Sequence, residues 1–264
     1  VAPNDPLYTT AGAPGTSSGG PVAGQWYLRA PNSVTVSAIN AEGAWDVTTG
    51  SASMVVAVLD TGVRFDHPDL SGKLLGGYDF VGADRNDSGV TIFPNTFESS
   101  KDGNGVDPNA SDEGDGITLA ETTNPNSLFY HCTSQDDTGQ YLEERSSWHG
   151  TQVSGLIGAL TNNGTGMASV GRNVRVLPVR VLSKCGGWDS DITAGMLWAA
   201  GIAVPGAAAN PTPAKVLNLS LGGSGNCSAL YTDIVGQVNA RGAVIVASAG
   251  NGTGHAVSEP ANCE

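Results

Sequence analysis

The chain predicts an α/β fold: a parallel, twisted sheet with helices on both faces. Three observations carry this. Four apolar runs have strand length, "MVVAVLD", "VRVLPVRVL", "KVLNLSLGG" and "AVIVASAGN". Each is nearly apolar throughout, as in strands buried on both faces, rather than alternating. Helical patterns separate the last three from what precedes them, "HGTQVSGLIGALT", "DSDITAGMLWAAGIA" and "CSALYTDIVGQVNARG". Strand and helix in alternation build a parallel sheet with crossover helices. The 37 glycines suit many turns and close backbone approaches.

Taken in order, residues 1–33 are rich in Pro, Gly, Ser and Thr and predict an irregular arm over the surface. "SAINAEGAWDVTTG" predicts a short helix stopped near Gly50. The first strand follows and ends at Asp60. Next comes a polar insertion, residues 70–148, whose "KDGNGVDPNASDEGDG" predicts a stretch outside the core. So long an insertion is functional or held by something other than packing. In the last helix Leu230, Ile234, Val235 and Val238 share a face, and Gly242 stops it. The 264 residues fit one α/β domain with insertions.

Charge narrows the partners. The 12 basic and 25 acidic side chains give a formal net charge of −13. That argues against nucleic acid, whose phosphates need basic patches. No apolar stretch is long enough to cross a bilayer. Carboxylates in excess suit hard cations such as Ca²⁺. Cys132, Cys185, Cys227 and Cys263 are widely spaced with no C-x-x-C pair, which disfavours a zinc cage. Their even number predicts two disulfides and an oxidising compartment. Three pairings are open; Cys132 with Cys185 and Cys227 with Cys263 is the expected one, and four buried thiols are the alternative. The start "VAPNDPLY" has no signal-peptide pattern, as expected of a mature chain.

The run "VVAVLDTGV" ends on Asp60-Thr61-Gly62. An aspartic protease needs two such turns, each after a strand, to bring two carboxylates together. Asp87-Ser88-Gly89 and Asp137-Thr138-Gly139 sit in polar surroundings with no strand before them. Asp60 therefore reads as a group at the carboxyl edge of a parallel sheet, where functional residues gather. Asn251, ending "VASAGN", is at another such edge. His149 opens a Gly/Ala-rich helix. A carboxylate can orient an imidazole, the imidazole can deprotonate a hydroxyl, and a carboxamide can donate to an oxyanion. His67, His131 and His255 lack such a context. A nucleotide-binding enzyme is disfavoured, because neither G-x-G-x-x-G nor G-x-x-x-x-G-K-[ST] follows any strand.

"VVAVLDTGVRFDHPDL", "HGTQVSGLIGAL", "VLNLSLGG" and "IVASAGN", in that order, resemble the landmarks of the subtilisin-like serine proteases, the subtilases. The likeness runs from about Gln25 to the end, outside the insertion. It implies a secreted endopeptidase of bacterial type acting on protein or peptide substrates. It implies Asp60 as the triad aspartate, His149 as the general base and Asn251 as the oxyanion donor. Ser220-Leu221-Gly222 would pair with the substrate backbone as an added strand. Gly186, Gly187 and Trp188 would supply the facing edge, and Ser248-Ala249-Gly250 a pocket wall.

The family's serine follows the asparagine, in a Gly-Thr-Ser turn that opens a helix. None lies between Asn251 and Glu264. "GTSSG", Gly15 to Gly19, precedes every strand, and Ser224 in "GGSGN" falls within the expected substrate edge. The expectation is a domain incomplete at its C-terminus, partnered by a C-terminal fragment carrying the serine and, before maturation, by an N-terminal propeptide. A catalytically inactive, calcium-binding relative is the alternative. The resemblance also implies a Ca²⁺ site built from Asp69 and the loop "LTNNGTGM", with carbonyls from Leu160, Thr165 and Met167 and the side chain of Asn162 or Asn163. A second Ca²⁺ site is expected from the acidic insertion itself, through Asp102, Asn104, the Val106 carbonyl and Asp112, with Glu113 and Asp115.

Overall fold

The computed structural model describes residues 2–9, 24–86 and 96–263. Residues 1 and 10–23 of the arm, which include "GTSSG", as well as Asp87-Ser88-Gly89 and Glu264, lie outside the described residues. The elements are α1 (Pro6–Thr9), α2 (Ala41–Trp45), β1 (Val55–Asp60), β2 (Tyr78–Asp79), α3 (Leu119–Thr123), α4 (His149–Gly158), β3 (Arg175–Arg180), α5 (Asp189–Ala199), β4 (Val216–Leu219), α6 (Ala229–Ala240) and β5 (Val244–Ala247). The five strands form one sheet in the order β2-β3-β1-β4-β5. The β2–β3 and β4–β5 pairs are parallel, giving the α/β class that the sequence predicts. Among the described residues no helix is long and apolar enough to cross a membrane.

The four apolar runs are β1, β3, β4 and β5, and β1 and β3 are buried as their composition requires. Ala57, Val58, Leu59, Val176, Leu177 and Val179 are at most 2% exposed. β5 differs. It is the outer strand, and Val244 and Val246 are 58% and 51% exposed. Its composition is that of an internal strand, yet its surroundings are those of an edge.

Two compact units can be distinguished. The smaller comprises residues 1–56, 65–75 and 152–176. Here the arm departs from a surface strap: Tyr8 and Leu28 are buried in a cluster with Ala41 and Ala168. Gln25, fully buried, donates to the Ala168 carbonyl and accepts from its N–H, at 2.8 and 2.7 Å. Apolar side chains spaced irregularly through a Pro- and Gly-rich stretch leave no periodic signal, so the sequence hides this packing.

The larger unit comprises residues 57–64, 76–151 and 177–264. The insertion contributes more to it than its polarity suggests. β2 joins the sheet edge, and Tyr78, Phe80 and Trp198 of α5 form an aromatic cluster with ring centroids 5.1–6.0 Å apart. Ala110, within the stretch expected outside the core, is fully buried, as are Ile117 and Phe129. Helix α6 is capped by Ser228, whose side chain accepts from Tyr231 N–H. It buries Tyr231, Ile234, Val235 and Val238, while Leu230, expected on that face, is exposed. Disulfides join Cys132 to Cys185 and Cys227 to Cys263.

Candidate active site

β1 delivers Asp60 to the sheet's carboxyl end, and α4 begins on His149. His149 Nδ1 lies 2.8 Å from Asp60 Oδ1. A carboxylate accepts only, so the imidazole proton sits on Nδ1 and leaves Nε2 with its lone pair. Asp60 is fully buried; the His149 side chain is 44% exposed. Asp60 Oδ1 also accepts from Thr61 N–H at 2.8 Å, while Oδ2 is buried without a hydrogen-bond partner. One carboxylate oxygen is thus fixed on the ring.

Residues next to the pair hold it in register. Gly150 N–H donates to Thr61 Oγ1 at 3.0 Å, and that hydroxyl donates to Asp112 Oδ2 at 2.7 Å. Position 150 has no room for a side chain: a Cβ would stand 2.1 Å from the Gly62 carbonyl oxygen and 3.1 Å from Asp60 Cβ. Glycine lets the start of α4 close onto the end of β1. The hydrogen bond to Asp60, foremost, and the charges of Asp60 and Asp115 push the His149 pKa above 6.5, against the opposing effect of partial burial.

A cavity of about 580 Å³ opens beside His149. Gly186 and Gly187 line one wall, and Ser220, Leu221 and Gly222 another. These are the two edges expected to take up a substrate backbone. Trp188 is 37% exposed and is the N-cap residue of α5, with the Arg85 guanidinium 5.9 Å over its ring. Cys132 and Cys185 also line the cavity, so one disulfide ties the insertion to the glycine edge. Ser248, Ala249, Gly250 and Asn251 follow β5 outside the cavity lining. Ser248 N–H donates to the Leu219 carbonyl and its hydroxyl to that of Leu221, both at 3.0 Å. Asn251 is exposed, and its side chain makes no hydrogen bond to the described residues.

The residues of the two calcium expectations have different surroundings. Among the described residues no group of three or more His, Cys, Asp or Glu side chains could hold a metal. Asp69 is nevertheless buried against its expected loop: Oδ1 accepts from Asn163 Nδ2 and Oδ2 from Met167 N–H, both at 2.9 Å. The Leu160 N–H donates to the Asp69 carbonyl at 2.7 Å. Thr165 N–H donates to Asn163 Oδ1 at 2.9 Å. Room for the Asp69 carboxylate comes from Gly166, where a Cβ would stand 2.2 Å from Oδ2. A second buried carboxylate, Asp5, accepts from the Asn162 and Asn163 N–H groups at 3.0 and 3.2 Å. The sequence argument missed Asp5; an acid in the otherwise neutral "VAPNDPLY" was the only signal for it.

In the acidic insertion the carboxylates expected as ligands have partners within the chain. Asp102 Oδ2 accepts from the Arg180 guanidinium at 3.0 Å, and Oδ1 from Ser100 Oγ and Asn104 N–H. Arg180 also pairs with buried Asp79 at 2.7 Å and donates to the Ser100 carbonyl. Asn104 turns its amide to Asp107, Asp112 accepts from Thr61 and Gly114, and Val106 is exposed. A buried guanidinium offsets part of the repulsion among the insertion's carboxylates, and it comes from β3, far away in sequence.

The subtilase family model matches residues 51–264. Over 240 residues, 90% of the chain, the sequence is 40% identical to an extracellular protease of Xanthomonas campestris. Over 256 residues, 95% of the chain, it is 38% identical to an extracellular basic protease of Dichelobacter nodosus. The chain spans 36% and 34% of the length of those two proteins. A solved structure of proteases from Pseudoalteromonas arctica superimposes on the whole chain with a TM-score of 0.75 at 37% identity, the match covering 63% of that structure's chain. Fold, ordered motifs and these matches agree, and the chain belongs to the subtilase family.

Proposed function

We propose that the protein carrying this chain is an extracellular serine endopeptidase, and that this chain supplies its acid, its base and its substrate cleft. The observation that carries the reading is the 2.8 Å bond between Asp60 and His149 at the mouth of a cavity with two backbone edges. The relatives named as extracellular proteases support both the activity and the compartment, and the two disulfides fit an oxidising one.

In this reading His149 Nε2 takes the proton of a serine hydroxyl as its oxygen attacks the substrate carbonyl carbon. Asp60 stabilises the imidazolium that forms. Asn251 donates to the oxyanion, a role its exposed position after β5 leaves open. The C–N bond then breaks, and the proton passes from Nε2 to the leaving amine. Water repeats the sequence on the acyl-enzyme and restores the serine. Ser220–Gly222 and Gly186–Gly187 hold the substrate backbone, with Trp188 at the rim and Ser248–Gly250 as a further wall. The serine comes from a C-terminal segment outside this chain. The exposed apolar side chains of β5 support such a neighbour, since an internal-type strand at an edge favours a covering element. An N-terminal propeptide belongs to the same reading.

Asp69 and Asp5, with the Leu160–Met167 loop, form the calcium site of this proposal. Two buried carboxylates bonded to one short loop fit a hard cation. Leu160, Thr165 and Met167 would add carbonyl oxygens, and Asn163 its carboxamide. When bound, the ion would neutralise the carboxylates and fix the loop.

A fluorophosphonate probe applied to the intact secreted protein tests the reading. Covalent labelling of a serine outside this chain is expected. An intact protein that takes no label is the inactive relative instead.

A further inference from the structure

The cavity beside His149 is anionic. Three carboxylates line it, Asp115, Glu144 and Asp189, and no Lys or Arg does among the described residues. Among the described residues their hydrogen-bond partners are neutral. Asp115 accepts from the N–H and hydroxyl of Ser147 at 2.6 and 2.7 Å. Glu144 Oε1 accepts from the N–H and hydroxyl of Ser134 at 2.8 and 2.7 Å. Asp189 Oδ1 accepts from the Tyr231 hydroxyl at 3.0 Å. Neutral donors cancel none of the carboxylates' charge.

Asp189 and Asp191 make the contrast plain. Both stand in the first turn of α5, where the helix dipole favours an anion. Asp191 is paired with Arg85 at 2.7 Å, and neither of the two lines the cavity. Asp189 has no ion pair among the described residues and faces the cavity. Burial, then the charge of Asp189, pushes the Tyr231 phenol well above its ordinary value, so it remains a donor throughout the working range. The donor fixes one Asp189 oxygen and orients the carboxylate. Ile192 and Leu221 give the same cavity apolar walls suited to a long methylene stem.

We propose that this cavity selects peptide substrates carrying a lysine or arginine side chain close to the scissile bond, with Asp189 as the anchoring carboxylate and Asp115 and Glu144 deepening the negative field. The proposal rests on the protease reading and names its substrate class. A partly open cleft screens the pair, so the discrimination is moderate, about tenfold.

The test uses the intact protease and fluorogenic peptides in which each position flanking the scissile bond holds, in turn, arginine, lysine, citrulline or norleucine. Citrulline keeps the shape of arginine without its charge. At one or more positions kcat/KM for arginine is expected to exceed that for citrulline about tenfold. In Asp189→Asn, which keeps an oxygen for Tyr231, that ratio falls toward one. The double variant Asp115→Asn, Glu144→Gln leaves α5 untouched and lowers the ratio about threefold, and 1 M salt weakens the wild-type preference. Hydrolysis with equal kcat/KM for arginine and citrulline at every position overturns the inference and leaves the protease reading intact. So does a preference that both variants retain. A wild-type protein that cleaves none of the peptides overturns the protease reading itself.

Discussion

Gly150 stands where the start of α4 meets the end of β1, and a Cβ there would lie 2.1 Å from the Gly62 carbonyl oxygen. One missing side chain thus sets how closely His149 approaches Asp60. In the intact protease Gly150→Ala must move the helix start or the strand end. Overpacking of this kind costs about 1–3 kcal/mol. The expected result is a lower Tm together with a fall in kcat larger than any change in KM. Unchanged kcat would show that the approach is not set here.

Arg180 is the charge at the centre of the insertion, between Asp79 and Asp102. Arg180→Met leaves two carboxylates without their cation. Removing one partner of a buried pair costs about 3–5 kcal/mol. Urea unfolding of the intact protein is expected to show that loss, and Asp79→Asn added to the variant to recover part of it. A variant as stable as wild type would mean that the loop has another source of compensation.

The Asp5–Asp69 loop predicts a dependence on calcium. An ion present at 100 times its Kd stabilises the folded state by about 2.7 kcal/mol. Chelation is therefore expected to lower Tm by several degrees, and Asp69→Asn to make the protein insensitive to the chelator. Melting curves that coincide with and without chelator would remove the site.

Cys132–Cys185 closes a separation of 53 residues and borders the cavity. Loop-closure entropy gives the bond a worth of about 4 kcal/mol. The double variant Cys132→Ser, Cys185→Ser is expected to lose stability and to raise KM, because the glycine edge at 186–187 loses its tie to the insertion. A raised KM at constant kcat distinguishes a loosened cleft from damaged chemistry.

The parts of this molecule written locally were legible in sequence. β1 announces itself by an unbroken apolar run, and Asp60 by ending it. His149 stands at the head of a recognisable helix pattern. Other parts depend on contacts that no local pattern encodes. Arg180 neutralises Asp102 across 78 residues, and Tyr231 orients Asp189 across 42. Asp5 joins the Asp69 loop from the far N-terminus. β2 is too short, at two residues, to show a period. Ala110 is buried because its neighbours fold over it, not because its surrounding sequence is apolar.

The bond between Asp60 and His149 is tested most directly by the pH dependence of kcat/KM in the intact protease and in its Asp60→Asn variant. His149 works neutral, and its folded pKa is raised above 6.5, chiefly by Asp60. Activity therefore appears as pH rises through that raised value, and the wild-type limb is expected above pH 6.5. Replacing Asp60 removes the charge that favours the imidazolium, so the limb moves to lower pH while kcat falls about 10⁴-fold. A limb at the same pH in both proteins, or kcat left intact in the variant, would contradict the pairing on which the proposed catalysis rests.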